Sequence, residues 1–381
     1  MVHRPAFCIW VEKMIRTSKG SFFLGLAAVL LLAACGGGAP PAPRSTGAVP
    51  VSAGGALGQA STDRDMRLPD LRAASLAGGQ KLRVVATTGI VGDVVKNVAG
   101  DLVEMTVLIG PGQDPHTYQP APRDIAAIER SNVVFVNGFH LEEGLEPTID
   151  AAAGKASPVV SVSAGIEPRQ TDPRQQYHAG AVTASASAQG TPPAPAAQQS
   201  DHPAGDPHVW FDPANVKLWT SNIAKSLSAL DPGNAAAYQA NAAAYTSQLD
   251  ELDAYIQAQV ALIPADRRKL VTDHEALGYF ADHYGFRVLG AVIPSVSTSA
   301  EPSAGDLAAL VEVIRAQGVP AIFIGTTTNP KVAGLVARET GARVLPLHTG
   351  ETGAPGSGAE TYLGMMRGNV DTIVKGLTER Q

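Results

Sequence analysis

Apolar and polar positions along residues 81–168 alternate between two periods. Short apolar runs, "LRVVAT", "EMTVLIG", "VVFVNG" and "PVVSVSA", are strands by length and β-branched content, and "IVGDVVKNVAG", "RDIAAIERS" and "LEEGLEPTIDAAAG" between them are helical. A second series begins at "KLVTD" and runs through "EALGYFADHYG", "FRVLGAV", "AGDLAALVEVIRAQG", "AIFIG", "PKVAGLVARETG" and "RVLPL" to a final helix from about Glu360 to Thr378. Strand–helix alternation of this kind predicts a mostly parallel sheet wrapped by helices, and two series predict two α/β lobes. Between them, "DPGNAAAYQANAAAYTSQLDELDAYIQAQVALIP" is a run of strong helix formers with Tyr238, Tyr245, Leu249, Leu252 and Ile256 at helical spacing. Some 30 residues of helix span about 45 Å, enough to run along both lobes as a strut that resists hinge motion.

Composition changes the picture at the N-terminus and in one internal stretch. Arg16 and Lys19 precede "FFLGLAAVLLLAAC", an apolar run suited to a signal peptide rather than a membrane span. It ends in Leu32-Ala33-Ala34-Cys35, which resembles a bacterial lipobox. Residues 1–34 are thus expected to be removed and Cys35 to carry lipid, tethering the protein outside the cytoplasmic membrane. Met14 offers an alternative start. Residues 36–80, rich in Gly, Ala, Pro and Ser, read as a flexible tether, and the folded body is expected from Lys81: an N-terminal lobe over 81–232, the linking helix over 233–264 and a C-terminal lobe over 265–381. Residues 168–204 are poor in apolar bulk and read as a disordered loop within the first lobe. Their His178 and His202 are either solvated side chains or a weak accessory metal-capture site.

Charge and cysteine content narrow the chemistry. The segment 1–34 carries four basic residues and one acidic residue, so its loss takes the formal charge from −6 to −9, which argues against nucleic acid as a partner. The chain has two cysteines, Cys8 and Cys35; cleavage removes the first and lipid occupies the second. Any metal site must then be built from histidine and carboxylates.

Histidine supplies the candidate site. Asp-Pro-His occurs twice, in "GPGQDPHTYQP" and, 92 positions on, in "GDPHVWFDP". Proline fixes its own φ and biases its predecessor toward extended backbone, so each triplet presents its histidine, His116 or His208, from a stiff loop. His274 lies in "LVTDHEALGYFADHYGF", directly after a strand, and strand ends converge on the ligand crevice in open α/β folds. Three neutral imidazoles are a common zinc ligand set, with Zn–N near 2.0–2.1 Å and a fourth ligand from a carboxylate or water. Manganese favours more oxygen ligands. His140 and His283 are expected to be structural or surface groups. A zinc hydrolase with Glu275 as general base is the rival from another class, although the His274–His283 spacing is not that of a zinc-protease helix.

The segments "GPGQDPHTYQPAPRD", "DPHVWFDPANV", "NAAAYQANAAAYTSQLDELD" and "HEALGYFADHYGF…EPSAGDLAALVEVIRAQGVPAIF" resemble, in order and spacing, the zinc/manganese solute-binding lipoproteins of bacterial ABC transporters. That resemblance covers residue 81 to the end. It implies two Rossmann-like lobes joined by a long rigid helix, with metal in the cleft, a permease as partner, a monomeric state, and no catalysis. Some relatives carry an adhesin label. A histidine at the third ligand position, here His274, is usual for the zinc binders, whereas glutamate there is usual for the manganese binders. The family's fourth ligand is an aspartate, and counting back from "YLGMM" places Gly350 there. The expectation therefore passes to Glu351, with His348 and then water as alternatives.

Overall fold

The computed structural model describes residues 64–153, 157–170 and 205–379. The proposed signal segment, Cys35, His178 and His202 lie outside them.

Two four-stranded parallel sheets form the lobes. The first contains β1 (Leu82–Thr88), β2 (Val103–Ile109), β3 (Val133–Val136) and β4 (Val159–Ser161) in the order β2-β1-β3-β4. The second contains β5 (Lys269–Thr272), β6 (Arg287–Ala291), β7 (Ala321–Gly325) and β8 (Arg343–Leu347) in the order β6-β5-β7-β8. All pairings are parallel, so each strand needs a crossover, which the helices provide. These are α1 (Gly89–Ala99), α2 (Pro122–Arg130) and α3 (Glu146–Ala153) in the first lobe. In the second they are α6 (Gly278–Tyr284), α7 (Ala304–Gln317), α8 (Pro330–Thr340) and α9 (Tyr362–Thr378). Helix α4 (Pro213–Leu230) closes the first lobe and α5 (Ala235–Val260) links the two.

The strand period sends alternate residues into different cores. Val84, Ala86, Val133 and Phe135 face one apolar cluster, which continues through α4 and α5 to Leu270, Ala321 and Phe323 of the second sheet. Their neighbours Val85, Val134 and Val136 face a separate cluster under α2 and α3, while Val271, Ile322 and Ile324 face another under α7 and α8. Sheets buried on both faces explain why the strands read as unbroken apolar runs. The shared inner core ties the lobes together through Tyr238, Tyr245, Leu249, Leu252 and Ile256 of α5, all buried. This helix has 26 residues and is therefore about 39 Å long, somewhat shorter than expected, because Pro232–Asn234 form a single 3-10 turn and the chain leaves the helix before Pro264.

Two further expectations are corrected. The described residues 64–80 of the expected tether are packed rather than free. Arg64 pairs with Asp150 at 2.6 Å, Ala74 N–H donates to the Leu230 carbonyl at 2.8 Å, and Leu68, Leu71, Ala74 and Leu76 lie against the core. Composition averaged over 36–80 conceals these spaced leucines. The helix after β5 is also shorter than "EALGYFADHYG" suggests: it begins at Gly278, so His274 sits in irregular chain between strand and helix.

A part-buried polar contact joins the lobes away from the three histidines' own hydrogen bonds. Asp93 of α1 accepts the Tyr362 N–H at the start of α9 at 2.9 Å, and burial pushes its carboxyl up to about 6. Because its folded-state value exceeds the unfolded one, the folded protein binds that proton more tightly, and the charged group costs stability as pH rises through about 4 to 6 and fully above that range. Asp93→Asn keeps an oxygen acceptor and removes the charge. Its melting temperature is expected to rise relative to the parent at pH 8 and to change little at pH 4.5, as read by calorimetry.

Candidate metal centre

The three histidines singled out in the sequence meet at the cleft. His116 sits in the loop that follows β2, His274 two residues after the end of β5, and His208 immediately before the 3-10 turn Val209–Phe211 that leads into α4. They are 4%, 0% and 2% exposed for His116, His208 and His274 respectively. The Nε2 atom of His208 lies 3.3 Å from that of His116 and 3.1 Å from that of His274, and one nitrogen from each ring falls within 4.8 Å of the others. Two nitrogens bound tetrahedrally to zinc at 2.0–2.1 Å are about 3.3–3.4 Å apart, so two of the three separations approach those of a loaded site.

Local chemistry aims the rings. In both triplets the aspartate Oδ1 accepts the backbone N–H of the histidine two residues on, Asp114 for His116 and Asp206 for His208, each at 3.0 Å. Behind each ring stands a carboxylate: Asp206 Oδ1 at 2.9 Å from His208 Nδ1, Asp273 Oδ1 at 3.0 Å from His274 Nδ1, and Glu143 Oε1 at 3.4 Å from His116 Nδ1. A carboxylate at Nδ1 selects the tautomer that leaves Nε2 as a lone-pair donor and raises its basicity. Trp210 packs edge-on against His208, with ring centroids 5.2 Å apart.

The electrostatics of the site are strongly graded. Burial pushes His116 below its ordinary value. Burial opposes charge on His274 as well, but the Asp273 carboxylate outweighs it and holds this imidazole high. Burial also lifts Asp206 and Glu275, each to about 7. A centre with this much buried carboxylate behind neutral donors is suited to a cation.

Support reaches further back. Asn137 donates from Nδ2 to the Pro207 carbonyl at 3.0 Å, steadying the second triplet, and its N–H donates to buried Glu142 at 2.7 Å, which also accepts the Thr87 hydroxyl. The turn that carries Glu142 and Glu143 needs left-handed backbone at Phe139 and His140, φ 52° and 60°, which side chains resist. Asp65 Oδ2, accepting the Phe139 N–H at 2.9 Å, and the His140–Glu146 contact at 2.7 Å hold it.

Of the other candidates, Glu351 and His348 lie outside the three-histidine group. Glu351 is buried, accepts the Thr326 hydroxyl and lies 3.3 Å from His348 Nδ1. Gly350 abuts Pro115, where a Cβ would come within 2.9 Å of its ring, so a side chain at that position has no room. His140 serves the turn just described, and His283 contacts Asp212 at 2.8 Å and Asp253 at 3.5 Å. Glu275, the base in the hydrolase alternative, donates its N–H to the Ser295 carbonyl and has a buried Oε1 with no hydrogen-bond partner. Sequence reasoning did not single out Glu143, Asp206 or Asp273. For the two aspartates a signal existed, an acid one or two residues before a candidate histidine; for Glu143 there was none.

Two parallel α/β lobes with three imidazoles at their junction define a two-lobed metal-binding protein. The chain belongs to the family described as zinc-uptake complex component A, periplasmic, whose model matches residues 84–376. Among its relatives, the manganese-binding lipoprotein MntA of Halalkalibacterium halodurans is 33% identical over 302 residues, covering 79% of this chain and 90% of the relative. Zinc-binding protein TroA of Treponema pallidum is 34% identical over 310 residues, with 79% and 90% covered. The TroA structure superposes with a TM-score of 0.66 at 31% identity, covering 79% of this chain and all of that one. A manganese-bound periplasmic metal-binding protein from Candidatus Liberibacter asiaticus gives 0.63 at 26% identity, with 78% and 100% covered. Membership of an uptake-complex family sets the hydrolase alternative aside.

Proposed function

We propose that this protein captures zinc outside the cytoplasmic membrane through His116, His208 and His274 and delivers it to the permease of an ABC transporter. The observation that carries the reading is the pair of Nε2 separations, 3.3 and 3.1 Å, with a carboxylate behind every ring. The relatives' names divide between zinc and manganese, so the choice of metal rests on the donor set, and three nitrogens suit zinc better than a hard, oxygen-seeking ion. Relatives named as lipoproteins support attachment through lipid on Cys35, and we read the protein as a monomer in service of that transporter. Metal analysis of protein purified without added metal, followed by competition titration, is expected to give one zinc per chain and weaker manganese binding. Tighter manganese binding would reverse the assignment.

For the fourth position we propose Glu351, turning from Thr326 and His348 to the bound ion. Its loop touches Pro115 beside His116 through Gly350, and Thr349 Oγ1 approaches Gly325, whose N–H holds Asp273 behind His274. A carboxylate there would halve the charge that three neutral imidazoles leave on the dication. Glu351→Gln is expected to weaken zinc by more than about tenfold and His348→Ala by less than about threefold. A large loss only in the His348 variant assigns the position to that residue, and no loss in either assigns it to water.

A further inference from the structure

The metal centre is enclosed, and the features that enclose it are distinct from those that bind. With His116, His208 and His274 at most 4% exposed, an ion between them can leave only if the surrounding chain moves apart. Besides the bonds of Tyr362 to Asp93 and to the Trp210 carbonyl, the two lobes meet through two sets of hydrogen bonds that involve the aspartates of the repeated triplets.

On one flank, Asp114 uses its two oxygens in different directions. Oδ1 accepts the His116 N–H at 3.0 Å, while Oδ2 accepts the hydroxyl of Thr298, from the loop after β6 in the other lobe, at 2.5 Å. At the second triplet, Asp206 Oδ1 serves the N–H and Nδ1 of His208, at 3.0 and 2.9 Å, and Oδ2 lies 4.0 Å from an Arg169 guanidinium nitrogen. Arg169 belongs to the first lobe and reaches α6 of the second, where Nε donates to Asp282 at 2.8 Å. Tyr279 of α6 completes the join: its hydroxyl accepts the Arg169 N–H at 2.8 Å and donates to the Asp206 carbonyl at 3.1 Å. Gly278 permits this approach, since a Cβ there would come within 2.7 Å of Asp206 Oδ2 and 2.8 Å of the Arg169 guanidinium.

We propose that these two clasps, Thr298 on Asp114 and Tyr279 with Arg169 on Asp206, set the residence time of the captured metal. The inference rests on the metal-capture reading above and adds positioning residues that never touch the ion. Opening the cleft must break both clasps, and each breakage pulls on the aspartate that aims a ligand. Release is thus coupled to a local parting of the cleft faces, a small movement that leaves the shared core around α5 intact. The proline inside each triplet keeps the link short and stiff, so lobe movement is transmitted to the ring.

The test uses the full chain loaded with zinc and mixed with excess chelator in a stopped-flow instrument. Thr298→Val and Tyr279→Phe each remove one hydroxyl at nearly constant shape. Thr298→Val, which loses one hydrogen bond, is expected to speed zinc dissociation by about tenfold, Tyr279→Phe, which loses two, by at least about tenfold, and the double variant by at least about a hundredfold because the two clasps share no residue. Association is expected to quicken along with dissociation, because the ion enters through the same clasped cleft. The melting temperature is expected to fall only by the small amount that a lost hydrogen bond costs, and Thr298→Ser is expected to keep release slow. Dissociation within twofold of the parent in both single variants, with one zinc still bound per chain, overturns the clasps while leaving metal capture in place. Acceleration in Thr298→Ser equal to that in Thr298→Val overturns the role of the hydroxyl. A parent chain that binds no zinc, or a His208→Ala chain that binds it as tightly as the parent, overturns the capture reading and the clasps with it.

Discussion

His208→Ala is expected to weaken zinc binding by more than about a hundredfold, since even the loss of a group behind a ligand costs about 10- to 100-fold. His208 is the residue to choose because its Nε2 has both short separations, to His116 and to His274, and because it is fully buried. Truncation leaves a partly desolvated dication with an open position beside Trp210, and the ring cannot be replaced by bulk water without reopening the cleft. The variant should also lose the thermal stabilisation by zinc, which reaches about 4 kcal/mol at a thousandfold excess over Kd. His283→Ala serves as the control. It breaks contacts with Asp212 and Asp253 and none with the three ligands or the carboxylates behind them, so it should leave zinc affinity within about threefold of the parent while lowering the melting temperature. Unchanged titrations in any two of the His116, His208 and His274 variants would refute the site.

Trp219→Ala is expected to destabilise the protein by about 3–5 kcal/mol, the range for truncating a fully buried aromatic. Trp219 of α4 is 0% exposed within the inner core, and its indole N–H donates to the Ser163 hydroxyl at 3.0 Å. Truncation therefore opens a cavity and strands a buried hydroxyl after β4, at the point where the first sheet meets α4. Equilibrium urea unfolding should show the midpoint fall with an unaltered slope, and Trp219→Phe should recover most of the packing while still lacking the donor. Chains of the alanine variant that remain folded should bind zinc normally, because the Trp219 hydrogen bond goes to Ser163 and not to a ligand or to a carboxylate behind one.

Most of the architecture was legible before any coordinates. Unbroken apolar strands signalled sheets covered on both faces, and the tyrosine and leucine spacing of 238–256 signalled the face that α5 buries. The histidines were legible too, because proline and strand ends constrain where a side chain can point. Reading was weakest where a residue's role depends on what lies across space. Glu143 occupies an ordinary helix-like stretch, yet a left-handed turn held by Asp65 brings it within 3.4 Å of His116. Glu351 was reached by counting along a glycine-rich loop, where backbone register carries little information, and its partners Thr326 and His348 could not be guessed from spacing.

What the chain determined by itself is whatever depends on local sequence: the period of each element, the stiffness of the two Asp-Pro-His loops, the absence of cysteine after Cys35, and the choice of imidazole as donor. Tertiary structure alone decided how far apart those donors stand, which carboxylate backs each ring, and which oxygens of Asp114 and Asp206 face the other lobe. These are relations between segments as much as 184 residues apart, as for Thr298 and Asp114. They arise because a continuous apolar core around α5 brings two sheets together, and no period along the chain encodes the distance across that core.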